Sequence, residues 1–284
     1  MLKTKTLRAV ENIEEPEINI HDSQVLKEVL KPPIAECKKV DGIERLVGKK
    51  QNMIIESYGK SDDVDEWITS LAVLLVKYDS LLKGFINKLR AQYANGQKEF
   101  SFSIAAWGEA EQKIICDIFE NELCGIVDSI MIDRNHNIIS GNLIFSVEAR
   151  KFLSGQYMEI GVFELLREVM EEIGVRCKTE YRLYRNVIVA TKNGRIKNEF
   201  DIVIECGEIF YVVEVKSGKH FNSWGDLLEV GKDYGIVPDR LLLVDSYLSD
   251  IQANRIESFC KYYVSNLNGN SFKEKLTEMI SNDQ

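Results

Sequence analysis

Nitrogen and sulfur ligands are scarce in this sequence. Only three histidines are present, His21, His136 and His220, and the six cysteines (Cys37, Cys116, Cys124, Cys177, Cys206 and Cys260) are scattered without a CxxC pair. A structural zinc needs clustered Cys and His ligands, so none is expected. Scattered cysteines in a cytosolic chain are reduced, small core residues. Long apolar runs are missing too. The longest apolar-rich stretch, residues 71–76, falls far short of the roughly 20 residues that cross a bilayer. The first twenty residues, MLKTKTLRAVENIEEPEINI, hold no segment apolar enough for a secretory leader. A cytoplasmic chain with no membrane partner is the expectation. No GxSxG, Walker or GxGxxG motif occurs, which leaves serine-type hydrolases and P-loop ATPases without support. Net positive charge is also lacking: a balance of −9 argues against a general nucleic-acid coat protein.

What is present is an ordinary globular composition, with 45% hydrophobic and 29% charged residues over a length of 284, enough for one large domain or two ordinary ones. The charge is uneven. Between 176 and 197 lie Arg176, Lys178, Arg182, Arg185, Lys192, Arg195 and Lys197, opposed only by Glu180. Such a patch in an acidic chain suits an enzyme that meets phosphates at one surface, or else a solvated hairpin face.

Residues 1–97 contain three of the four prolines, Pro16, Pro32 and Pro33. They show little pattern beyond a short strand at MIIESY and one long helix over 62–94. Asp62 or Asp63 caps that helix, and Trp67, Leu71, Leu74, Leu75, Tyr78, Leu82, Phe85, Ile86 and Leu89 recur at helical spacing. Asn95-Gly96 ends it. The stripe reads as a packing or dimer face. Residues 98–150 read as a helix over 109–122 and a hairpin of strands 125–132 and 138–145. A winged helix has this layout. Its recognition segment, however, would carry Glu109, Glu111, Asp117, Glu120 and Glu122, where a DNA reader should be basic, which favours a plain connector.

Residues 151–284 are patterned more clearly. Expected are a helix over 157–173, strands over 177–190, 197–205 and 209–216, a helix over 221–234, a strand over 240–246, and helices over 249–266 and 271–280. The turn Lys192-Asn193-Gly194-Arg195 carries the Asn-Gly hairpin signal. The class is α/β: a C-terminal α-β-β-β-α-β-α core with helices on both faces of a mixed sheet, a mostly helical N-terminal region and a winged-helix-like linker.

The chemistry concentrates in NEFDIVIECGEIFYVVEVKSGK, residues 198–219. With period two, Phe210, Val212, Glu214 and Lys216 share one strand face. Charges in a central strand are costly unless paired or metal-bound. Asp201 lies on the neighbouring antiparallel strand and can approach Glu214. Two converging carboxylates make a hard, oxygen-rich site of the kind Mg2+ or Mn2+ prefers. Lys216 could orient a water or neutralise charge on phosphorus, and Glu159 on the preceding helix is a third acid. The plain alternative is an ion-paired strand end. Glu164 competes with Glu159 for the upstream role. Glu199 and Glu205 read as exposed hairpin carboxylates. Ser217 and Lys219 fit either a phosphate contact or a polar turn, and His220 fits a helix entry better than a general base.

Asp201, then Glu214-Val215-Lys216 on the next strand, with Glu159 upstream, resembles the PD-(D/E)xK, restriction-endonuclease-like nuclease motif, from about residue 153 to the C-terminus. FLSGQYMEIGVFELL, NEFDIVI and VVEVKSG look like the nuclease half of CRISPR ancillary nucleases that join it to a CARF sensor. The resemblance implies Asp201 and Glu214 as metal ligands, Val215 offering its backbone carbonyl, Lys216 as the catalytic lysine and Glu159 as the upstream acid. It also implies 5′-phosphate products, frequent homodimers and a setting in prokaryotic defence. Tyr157 stands where the family often has tryptophan. In that family a winged-helix-like linker often joins the two, and residues 98–147 would match it; a CARF domain, however, is a Rossmann-like unit of well over a hundred residues, and residues 1–97 show at most one strand–helix pair, so a complete sensor is not expected. The domains expected are 1–97, 98–150 and 151–284. The expected function is a metal-dependent endonuclease acting on DNA, RNA or both, with a regulatory nucleotide or protein partner at the N-terminal region. The alternative is a non-catalytic nucleic-acid-binding or scaffold subunit on the same fold.

Overall fold

The structure, a computed structural model, describes residues 42–48, 50, 52–59, 64–121, 125–177, 180–218 and 224–282. Its centre is the pair of strands that the alternation over 196–216 demands. They are β6 (Ile196–Cys206) and β7 (Ile209–Lys216), joined by a tight turn at Gly207, whose φ of 60° suits a residue without Cβ. Around them six strands form one mixed sheet in the order β1-β5-β6-β7-β8-β9. β1 (Met53–Gly59), β5 (Tyr181–Thr191), β6 and β7 are antiparallel, while β8 (Leu241–Asp245) and β9 (Tyr263–Ser265) run parallel to β7. Every residue of β8, LLLVD, is buried, as a parallel strand covered on both faces requires.

Two apolar layers sandwich the sheet. On one side lie α1 (Glu66–Lys77), α2 (Asp79–Ala94), α5 (Tyr157–Cys177) and α8 (Ser271–Ser281), in a cluster with Ile202, Ile204, Val213, Val215 and Val244. On the other lie a 3-10 turn (Gly42–Val47), α6 (Trp224–Tyr234) and α7 (Asp250–Cys260), packed on Val187, Phe200, Val203, Val212 and Leu243. α1 and α5 pack closely because Gly161 has no side chain: a Cβ there would stand 2.6 Å from the Ala72 carbonyl oxygen. A second, antiparallel sheet has the order β2-β4-β3, from β2 (Glu99–Ser103), β3 (Val127–Asp133) and β4 (Ile138–Leu143), with α3 (Glu109–Asn121) between β2 and β3 and the short α4 (Val147–Lys151) after β4.

Several expectations are corrected. The single helix over 62–94 is two helices, broken at Tyr78, whose φ −109° and ψ 25° are not helical. Its apolar stripe is not free for a dimer contact, because Leu71, Leu75, Leu82, Phe85, Ile86 and Leu89 are all at most 2% exposed inside this chain. The helix expected over 249–266 stops at Cys260, where Lys261 turns left-handed (φ 64°), and the chain then adds β9 to the sheet edge. The short strand at MIIESY belongs to the main sheet as β1, and the hairpin of 125–145 gains a third strand, β2. One apolar cluster runs from Leu71 through Ile139 and Phe163 to Ile280, so residues on both sides of positions 97 and 150 share a core.

Candidate active site in a fork of the sheet

β6 and β7 stay paired from Cys206–Ile209 to Ile202–Val213 and then part. Beyond that point β6 continues with β5 alone (Phe200–Val187, Asn198–Val189), and β7 with β8 alone (Glu214–Leu243, Lys216–Asp245). Asp201, Glu214 and Lys216 sit in this fork. The next ladder bond is made by a side chain: Val215 N–H donates to Asp201 Oδ2 at 2.7 Å. Lys216 Nζ donates to Glu214 Oε1 in an ion pair.

The fork coincides with a slip in the strands' alternation. Side chains of one strand face alternate sides, so residues two apart should pack together. Phe200 and Ile202 instead pack in opposite clusters, and Tyr184 and Val187, three apart, pack in the same one. Asn186 absorbs the slip on β5 with φ 49°, a left-handed conformation that asparagine tolerates and that is unusual inside a strand. It lies between the Arg185–Ile202 and Val187–Phe200 pairs, beside Asp201. The slip brings an acid toward the open fork from beside the buried apolar run Ile202, Val203 and Ile204.

Among the described residues three acids, Asp201, Glu214 and Glu159, face one lysine, Lys216, with Arg185 also acting on Glu159. Asp201 is held well above the ordinary carboxylate range, first by burial and then by Glu214, with Glu159 adding to it and the Val215 N–H and Lys216 opposing. Glu159, half-buried on the first turn of α5, is raised by burial and by Glu199 and Glu214. Burial pushes the Lys216 ammonium down, yet Glu214, Asp201 and Glu159 outweigh it and the net direction is up. Glu164, the competing upstream acid, is buried and bonded to Arg167 at 2.8 Å. Thus Glu159 is the helix acid that feels the fork. No group of three Asp, Glu, His or Cys side chains is gathered closely enough to hold an ion among the described residues. Asp201, Glu214 and Lys216 are brought together, and Glu159 stands back.

A feature that the sequence did not announce is Arg90 on α2. Its guanidinium donates to the Leu153 carbonyl and, at 2.9 Å, to the Ser217 carbonyl, and lies 5.6 Å from the centre of the Tyr157 ring. Leu153 belongs to the π-helical turn Phe152–Gln156 that leads into α5, and Ser217 follows Lys216 directly. Such π turns occur often at functional sites. One side chain therefore ties the helix that carries Glu159 to the strand that carries Glu214 and Lys216. Lys83 and Asn87 extend the same face of α2 to the end of β8: Lys83 donates to the Ser246 carbonyl and pairs with Asp79 at 3.0 Å, and Asn87 accepts from Tyr247 at 2.6 Å. Residues 79, 83, 87 and 90 fall on one helical stripe, lost to view in the sequence among the apolar positions beside it.

With this geometry, comparison with known proteins gives the following. No protein-family model matches the chain, and no curated protein sequence does. Solved structures do. Can2 from Sulfobacillus thermosulfidooxidans, in complex with cyclic tetra-adenylate, superposes with a TM-score of 0.50 at 14% identity over 81% of this chain and 55% of that one. Protein VC1899 from Vibrio cholerae gives 0.51 at 15% identity over 81% and 58%. The chain spans little more than half the length of either, and at this identity the likeness is one of fold.

Other predicted residues fall elsewhere. Glu199 is exposed on β6, as expected. Glu205 is not exposed but 4% accessible, at the far end of β6, where it accepts from Arg45 and, at 2.7 Å, from Tyr184 Oη. A cavity of about 880 Å3 opens there, lined by Arg45, Tyr181, Arg182 and Glu205 among others. Its arginines and acids face one another, away from the fork. Ser217 is engaged by Arg90, and Lys219 and His220 lie outside the described residues.

Proposed function

We propose that this chain is a divalent-metal-dependent nuclease of the PD-(D/E)xK kind, hydrolysing phosphodiester bonds of DNA, RNA or both. The observation that carries the reading is the fork: two strand carboxylates and a lysine at the point where β6 and β7 separate, with a helix acid behind them. The donor set fits magnesium or manganese, because the oxygens are hard and their charge exceeds what Lys216 balances. Asp201 and Glu214 would hold the ion, with the Val215 carbonyl and Glu159 completing the set. A bound divalent ion supplies Lewis acidity toward a phosphate oxygen and toward water.

The chain's own groups do the rest. In the structure the Lys216 ammonium supplies the charge compensation that Glu214 lacks. With Glu214 engaged by a cation, the Lys216 ammonium would be placed to orient the attacking water and to stabilise the charge that develops on the phosphoryl oxygens. Arg90 keeps the Lys216–Ser217 segment in place while this happens. The resemblance of the PD-(D/E)xK motif to CRISPR ancillary nucleases supports a setting in prokaryotic defence with a homodimer as the working form, and Can2, a structural neighbour bound to cyclic tetra-adenylate, supports a regulatory nucleotide as second partner, with a protein partner as the alternative.

The test is cleavage of supercoiled plasmid, circular single-stranded DNA and a long RNA with magnesium, manganese or EDTA, for the wild type, Glu214→Ala and Lys216→Ala. Metal-dependent cutting that leaves 5′-phosphates and falls on the order of 10²–10⁴-fold in either variant is expected. No cutting of any substrate, with or without cyclic oligoadenylates, together with divalent-ion affinity that Asp201→Ala leaves unchanged, would favour the scaffold reading instead.

A further inference from the structure

The β5–β6 hairpin does not end at the fork. Past Asp201, β6 runs back through five more residues, Ile196 to Phe200, paired only with β5, to a tip at 192–195. The tip is on the same end of the sheet as Glu214 and Lys216, because β6 and β7 are antiparallel. It is well ordered by its own bonds: Thr191 N donates to the Arg195 carbonyl at 2.9 Å, Arg195 N to Thr191 Oγ1 at 3.1 Å, and Gly194 turns the chain with φ 81°. Lys192 N donates to the Asn52 carbonyl beside β1, and Phe200 stacks edge-on to Tyr234 of α6. The hairpin is thus an arm fixed to the body on one face.

The tip is basic in an acidic protein. Lys192, Arg195 and Lys197 are exposed, and none forms an ion pair with any described residue. Several cations elsewhere are matched, Arg45 to Glu205, Lys83 to Asp79, Lys98 to Asp128, Arg167 to Glu164 and Lys273 to Glu172; the tip differs in gathering three without a carboxylate partner within positions 192–197. Ile196, between Arg195 and Lys197, is 60% exposed. The one carboxylate on β6 between the tip and Asp201 is Glu199. In a chain of net charge −9, three clustered cations at the same end of the sheet as the acidic fork suit an anionic ligand from outside.

We propose that this tip grips the backbone of the nucleic-acid strand whose phosphodiester enters the fork, through Lys192, Arg195 and Lys197 on phosphates away from the cut and Ile196 in apolar contact with sugar or base. The choice of ligand rests on the nuclease reading. Lys197 and Arg195 precede Asp201 by four and six residues, which at a strand rise of roughly 3.3 Å puts them about 13–20 Å from it. On a duplex that distance covers about four to six base steps. The arm therefore acts only on substrates that extend that far from the cut.

The experiment is fluorescence anisotropy of labelled single-stranded DNA, duplex DNA and RNA 30-mers in EDTA, as a function of salt, for the full chain and for Lys192→Gln/Arg195→Gln/Lys197→Gln. The same proteins are tested for metal-dependent cleavage. All three positions are exposed, so an unchanged thermal midpoint is expected of the variant. The proposal expects binding at about 100 mM salt to weaken tenfold or more, with the salt slope of log K falling by about two to three. A variant that binds like the wild type makes the arm a solvated face and overturns the proposal even if the wild type cuts. A wild type that binds no nucleic acid at low salt also overturns it, whatever it does to bis(p-nitrophenyl) phosphate, a small diester that tests the fork alone. Binding that is lost in the variant while nothing is ever cut leaves the grip standing and removes the nuclease reading.

Discussion

Two carboxylates on strand β6, Glu205 and Asp201, have opposite fates. Glu205, at the turn to β7, is 4% exposed and answered on both oxygens: Arg45 on one, Tyr184 Oη at 2.7 Å on the other, with Arg182 3.8 Å away. Even the backbone makes room for it, since a Cβ on Gly42 would overlap its carboxylate. Asp201, four residues earlier, has one backbone N–H and is surrounded by Glu214 and Glu159. A buried carboxylate whose partners are all supplied by the chain is part of the scaffold. One left in like-charged company is held by the fold against its own electrostatics, as the proposed metal site requires.

The sharpest way to break this contrast is at the balanced end. Glu205→Ala would leave the buried Tyr184 hydroxyl without its acceptor and should cost on the order of 2–3 kcal/mol of stability. Urea denaturation measures it, and the folded fraction should retain its cleavage activity per molecule. A loss of activity without a loss of stability would make the two carboxylates one functional unit and dissolve the distinction.

Arg90 sharpens the other side. It touches neither Asp201 nor Glu214 in the described bonds, so its effect on them is one of positioning, through Ser217 and Leu153. Outer partners that orient metal ligands are worth about 10–100-fold when removed. Arg90→Ala should lower metal-dependent cleavage by that factor and raise the magnesium concentration needed for half-maximal rate. Arg90→Lys should rescue it only in part, because a lysine has no fork to reach two carbonyls at once. An unchanged magnesium dependence with a lowered thermal midpoint would assign Arg90 to the scaffold alone.

These two arginines also mark where sequence reasoning reached its limit. The strand over 209–216 was legible to the residue, because a Cys-Gly-Glu turn precedes a clean alternation that ends in charge. The cluster of Asp201, Glu214 and Lys216 followed from period two and one hairpin. Arg90 was not legible, since its partners lie 63 and 127 positions away, and Arg45 lies 160 from Glu205. Glu205 was misread as exposed because a carboxylate beside a turn usually is. The break at Tyr78 was hidden by an apolar period that continues across it, from Leu74 and Leu75 to Leu82. β9, three residues long, is too short to show any period, and nothing local tells β1 that its partner is β5, some 130 residues on. The slip at Asn186 had no glycine to announce it.

The smallest expected effect is the most diagnostic of the comparison. Asp201→Asn keeps an oxygen for the Val215 N–H and removes one negative charge from the fork. If the carboxylate is held against its neighbours' charge, the variant in EDTA should be more stable than the wild type, by about 1 kcal/mol, the usual size of such trade-offs between site and scaffold. On the proposed reading the same change removes an ion ligand, so magnesium should raise the wild type's thermal midpoint and leave the variant's unmoved. At saturating metal the order of stability then inverts, since an ion at about 100 times its dissociation constant contributes about 2.7 kcal/mol to the form that binds it. If Asp201→Asn instead lost stability in EDTA, Asp201 would be a structural partner of the same kind as Glu205, and the fork would be an ordinary strand end whose charges happen to meet.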